Sequence, residues 1–65
     1  MWFLTDLASE RVGFLGGSWP VVDGYVQLPD IVANSIRTWL AENGFVEVDQ
    51  SQVPVSVIEQ IGTLT

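Results

Sequence analysis

The chain has 65 residues, 48% of them apolar and 15% charged, and a net charge of −6. One domain is the most that this length builds, and so short a chain buries only about 60% of its unfolded surface, which leaves its stability marginal without a staple or a partner. With no Cys, no His and only Arg11 and Arg37 as cations, disulfides and the usual zinc sites are excluded, and a phosphate-neutralising nucleic-acid surface is disfavoured.

Residues 1–9 carry Trp2, Phe3, Leu4 and Leu7 around Thr5 and Asp6, and periodicity leaves a short edge strand and an arm as alternatives. From Arg11, "RVGFLGG" places Val12 and Phe14 on one side of a strand that runs into a turn at Gly16-Gly17. "SWPVVDGYVQLPD" follows. Its Asp23-Gly24 predicts a two-residue hairpin turn, because a type I′ turn requires positive φ at both positions. The flanks alternate, with Val26 and Leu28 on one face and Tyr25 and Gln27 on the other. Pro20 is expected at a strand start or edge, where its missing N–H costs least.

The segment "PDIVANSIRTWLAENG" predicts a helix over about 29–43. Pro29 suits the first turn, Asp30 favours the positive end of the dipole, and Gly44 suits the left-handed residue that ends it. Val32, Ile36, Trp39 and Leu40 form an i, i+4, i+7, i+8 stripe, with Asn34, Arg37, Glu42 and Asn43 largely elsewhere. The stripe predicts most of the core, Trp39 included. "FVEVDQ" reads as a short strand with Val46 and Val48 alternating against Glu47 and Asp49. A short C-terminal helix is expected over about 54–61, with Val57, Ile58 and Ile61 as its apolar face and Gly62 as its end. The fold class is therefore α+β: a small antiparallel hairpin or sheet packed on one central helix. The chain divides into an apolar N-terminal arm or edge strand (1–9), a body (10–49) and a C-terminal extension (50–65).

Catalytic chemistry has few carriers in this composition. The common general base and the strongest nucleophile are missing, and there is no Lys for Schiff-base or phosphate work. Glu47 and Asp49 share a strand face and in principle could hold a hard cation or flank a bond, but a solvated acidic face is the plainer reading. Arg37 is expected in a solvated i+5 or cross-chain contact, worth at most about 1 kcal/mol. "GFLGG" has neither GxGxxG spacing nor a Walker Lys. Neither an enzyme, a cofactor nor a metal is expected.

The aromatics point instead to protein binding, since Trp and Tyr dominate binding hot spots. Trp2 and Phe3 either close the core or anchor a partner, and the anchor is preferred because the helix stripe and hairpin already supply a core. The predicted partner-binding residues are Trp2, Phe3, Leu4, Leu7, Trp19 and Tyr25. No run approaches the ~20 apolar residues of a membrane span, and "MWFL" lacks the positive n-region of a secretion signal. A cytoplasmic protein, or one carried in an assembly built there, is expected.

Two family resemblances bear on the partner. "VVDGYVQLPDIVANSIRTWLAENGFVEVD" resembles small head and capsid accessory (decoration-type) proteins of tailed bacteriophages, which pair a short hairpin with a "vPd" helix and a "GF.ev" strand. The likeness spans about half the chain. It implies a virion protein in many copies bound to the major capsid protein or another subunit, with self-association as a further option and no catalytic residues. "IRTWLAENGFVEVDQSQVPVSVIEQ" is similar, over residues 36–60, to the C-terminal DNA-binding domain of the actinobacterial nucleoid silencer. Ile36, Arg37, Trp39, Asn43, Gly44, Pro54, Val57 and Ile58 fall at that family's spacings. Its Arg-Gly-Arg loop is replaced here by Gln50-Ser51-Gln52, which removes the cations that enter an AT-rich minor groove. This second likeness implies a helix–loop–helix scaffold used as a nucleic-acid-associated regulator or a protein-interaction module, and makes residues 45–53 a loop where the periodicity makes them a strand.

Overall fold

Asp23 and Gly24 both take positive φ, 51° and 83°, so the chain reverses there in the tight primed turn that matches strand twist. In the computed structural model, which describes residues 1–8, 10–15 and 17–64, this turn joins two strands of a five-stranded antiparallel sheet. The strands are β1 (Trp2–Leu4), β2 (Arg11–Phe14), β3 (Gly17–Val22), β4 (Tyr25–Gln27) and β5 (Val46–Val48), in spatial order β2-β3-β4-β1-β5. Gly17 already pairs with Phe14 as the first residue of β3, while the Gly16 half of the expected Gly16-Gly17 turn lies outside the described residues, as do Ser9 and Thr65.

β1 is neither an arm nor an edge strand. It pairs with β4 on one side (Phe3 opposite Val26) and β5 on the other (Phe3 opposite Glu47). Beyond the strand, the Met1 N-terminal ammonium donates to the Leu28 carbonyl at 2.6 Å, and Leu28 N–H donates to Met1 O at 2.9 Å. Pro20 sits inside β3 and not at its start or edge. β3 pairs with β2 through residues 17–20 and with β4 only at Val21 and Val22. The β4 ladder thus stops where the ring removes the N–H.

Two short helices, α1 (Asp30–Ser35) and α2 (Arg37–Glu42), replace the single predicted one. The break is at Ile36, a β-branched residue at φ −123°, ψ 19°. Just before it, the Ser35 hydroxyl donates to the Ile31 carbonyl at 2.8 Å, a back-bond of the kind that bends helices. The end of α2 follows expectation closely. Gly44 has φ 83°, Phe45 N–H donates to Leu40 O at 2.9 Å, and Gly44 N–H approaches Ala41 O at 3.4 Å. That is a Schellman arrangement, and its two hydrophobic partners, Leu40 and Phe45, are both buried in the same cluster.

The pleat sends alternate side chains of the sheet into two separate cores. One face, with Phe3, Val12, Phe14, Val21 and Val26, packs against Val32, Ala33 and Leu40 of α1 and α2. The opposite face, with Trp2 and Val22, packs against Val53 and against Val57 and Ile61 of α3 (Val55–Leu64). Residues 50–64 therefore cover a sheet face and do not form an extension: a 3₁₀ turn at Gln50–Gln52 leads into α3. α3 runs through Gly62 to Leu64, three residues past the predicted end. Residues 46–48 are strand, as the alternation predicts, and not loop.

Trp39 departs from its predicted core position. It is 44% exposed and lies across the rim of the first core, edge-on to Phe14 at 4.8 Å and tilted against Phe45 at 5.9 Å. With the helix broken at Ile36, Val32 and Leu40 carry the buried contacts and the large ring is left at the margin.

Candidate protein-binding surface

The six predicted contact residues separate by strand parity. Trp2 and Phe3 are only 4% and 2% exposed, one in each core. They close the chain's own structure, and the anchor reading is corrected for both: an interior strand has neighbours on both edges and a helix layer over each face. Leu7 and Trp19 are half-buried against the first core; the Trp19 ring lies directly over Gly17, where any side chain would strike it.

Leu4 and Tyr25 come together. Leu4 is opposite Tyr25 on β4 and opposite Val46 on β5, so all three side chains share the α3 side of the sheet. α3 lies chiefly over β3 and β4. Tyr25 is half-buried beside it, while Leu4 and Val46 stand past the helix, 37% and 59% exposed. Val46 is the residue missed by sequence reasoning. Its alternation with Glu47 signals a half-buried strand, yet the outermost strand has nothing beyond it to bury the apolar side. No strand pairs with the outer edge of β5 among the described residues, so its outward backbone groups can accept another strand.

Electrostatics at this edge are set by carboxylates. Glu47 Oε2 accepts from Arg37 Nη1 at 2.5 Å, and Arg37 Nη2 donates to Asn34 Oδ1 at 3.0 Å. Of the two expected contacts, i+5 is not the one made: Arg37 reaches ten residues along the chain to β5. Both partners are about half exposed, so the pair contributes at most about 1 kcal/mol. Asp49 accepts from the Ser51 hydroxyl at 3.1 Å. Where β1 begins and β5 ends, a shallow open cleft is lined by Met1, Trp2, Gln27, Glu47, Asp49 and Gln50, with Val48 at its wall. Among the described residues, no three Asp or Glu side chains gather to hold a metal ion. None of the described helices is long and apolar enough to cross a membrane.

Among the described residues the other exposed large apolar side chains are Leu15 after β2, Ile31 on α1, Trp39 on α2, and Val55 and Leu64 at opposite ends of α3. Among these exposed residues, Leu4 and Val46 are the two set opposite one another across a strand pair. No family model matches this chain, and neither the curated proteins nor the solved structures give a significant match. What fold and surface define is a class: a small three-layer α+β domain whose β5 edge, among the described residues, is unpaired, acidic and partly apolar.

Proposed function

We propose that this chain is a non-enzymatic protein-binding module that docks through the β5 edge and the adjoining Leu4–Val46 strip. The single observation that carries the reading is the coincidence, among the described residues, of an unpaired outer strand with two exposed apolar residues, Leu4 and Val46, set opposite one another in the ladder. Strand addition supplies main-chain hydrogen bonds, and the flanking side chains supply specificity.

The finer proposal is an accessory component of a bacteriophage capsid that reinforces the shell by binding the major capsid protein in many copies. Its support is the resemblance of residues 21–49 to small decoration-type virion proteins. In a symmetric shell, many weak contacts add to a stable whole. The nucleic-acid alternative draws no support from Arg37, which Glu47 and Asn34 engage.

The test is mass spectrometry of purified virions, or of any assembly that retains the chain, with wild type compared to Val46→Asp. Because Val46 is mostly exposed, the variant should melt within about 0.5 kcal/mol of wild type. Its retention should fall by about tenfold or more, the loss expected for a central contact. A chain recovered only free and monomeric would remove the proposal.

A further inference from the structure

The β5 edge carries information about what it accepts. Val46 and Val48 face the α3 side, whereas Glu47 faces the α1–α2 side, opposite Phe3. Asp49 continues the strand in extended conformation, φ −74° and ψ 145°, before the chain turns into Gln50–Gln52. Read outward, the edge is apolar, acidic, apolar, acidic. The two carboxylates also line the cleft at the end of the sheet.

A second copy of the chain is a poor occupant. Antiparallel pairing of two β5 strands in full three-residue overlap is symmetric about Glu47, and sets the two Glu47 carboxylates directly opposite one another. Like charges at that position oppose pairing. Shifting the register to avoid them sacrifices overlap in a strand only three residues long.

We infer that the β5 edge takes an extended peptide segment in which apolar and basic residues alternate. This assignment rests on the docking reading above and adds a chemistry to the partner. Paired antiparallel, the partner's apolar residues lie beside Val46, Val48 and, one strand further in, Leu4, and thereby extend the exposed strip. Its basic residues fall opposite Glu47 and Asp49, with the cleft open to their long side chains. Arg37 binds Glu47 through Oε2, and a carboxylate accepts more than one donor. Arg37 does cancel part of the field at Glu47, so Asp49 supplies the larger share of the attraction. The net charge of −6 acts in the same direction at longer range and speeds encounter with a cationic segment.

The experiment titrates the isotope-labelled full chain with three end-capped five-residue peptides alternating Val with Lys, Ser or Glu, and follows backbone amide shifts. The Val–Lys peptide should move the amides of residues 46–50 and bind at least about tenfold more tightly than Val–Glu, with the ratio shrinking as salt rises. In Glu47→Gln/Asp49→Asn the preference should fall to within about twofold while Val–Ser binding is unchanged. If that double variant does not fold, Asp49→Asn alone should show a reduced preference. Equal binding of all three peptides at β5 overturns the basic partner and leaves edge docking standing. Absence of shifts at 46–50 with every peptide overturns edge docking as well. Concentration-dependent shifts at 46–50 without peptide overturn the inference in favour of a second copy.

Discussion

Trp2→Ala is the sharpest test of how this chain holds together. Trp2 is 4% exposed and packs in one cluster with Val22, Val53, Val57 and Ile61. Those contacts are what attach α3 to the sheet. Truncating a buried Trp to Ala costs about 3–5 kcal/mol, from lost transfer energy plus the cavity left behind. At roughly 0.05–0.15 kcal/mol per residue, a domain of this size holds about 3–10 kcal/mol in total. The substitution therefore removes a third or more of the stability, and on the lower estimate all of it. Trp2→Phe separates packing from polarity. The Trp2 indole N–H is buried with no acceptor among the described residues, and such an orphan donor costs about 1–3 kcal/mol. Phe loses part of the ring but also removes the orphan, so it should cost less than half as much as Ala. Urea denaturation followed by circular dichroism measures both. A Trp2→Ala protein within about 1 kcal/mol of wild type would refute the core placement of β1 and revive the anchor.

Gly24→Ala should be severe, because Gly24 sits at φ 83° and an added Cβ would lie 2.6 Å from the Thr5 carbonyl oxygen; a loss of at least about 2 kcal/mol is expected by thermal melting. Leu15→Gly should stabilise by up to about 1 kcal/mol, since Leu15 is exposed and held at φ 42°, a region where only Gly is unstrained; differential scanning calorimetry would detect a rise of a few degrees. Glu47→Val removes the like-charge obstacle at the centre of β5 and leaves Arg37 without its carboxylate. Sedimentation should show this variant self-associating at concentrations where wild type is monomeric.

Local signals carried far in this chain. Asp23-Gly24 predicts its turn because two adjacent residues determine the backbone there. The Gly44 stop, the Val12–Phe14 alternation and the Val57–Ile61 face were legible for the same reason: each is fixed within one turn or one strand. Placing β1 required pairings far along the chain, Phe3 having to lie opposite Val26 on one side and opposite Glu47 on the other. Three residues contain no periodicity that says which strands flank them. The binding edge was legible in part. Leu4 and Tyr25 were identified by type, and the register then joined them. Val46 was missed because its exposure depends on β5 being outermost, a property of strand order and not of the residues near it. Trp39 fails in the opposite direction: the helical stripe is correct in phase, but the break at Ile36 leaves its largest member at the rim.

The position of β1 also determines how the domain behaves as a unit. Trp2 and Phe3 are consecutive residues, yet the pleat sends one into the α3 core and the other into the α1–α2 core. β1 is thus a wall common to both clusters, and neither can loosen there without disturbing the other. Its outer neighbour β5 depends on it alone for strand pairing among the described residues. A segment added beyond β5 would convert that terminal strand into an interior one and tie the binding edge, through β1, to both cores. Binding at the edge should then slow amide exchange in β1 as well as in β5, because opening either strand would first require the added segment to leave.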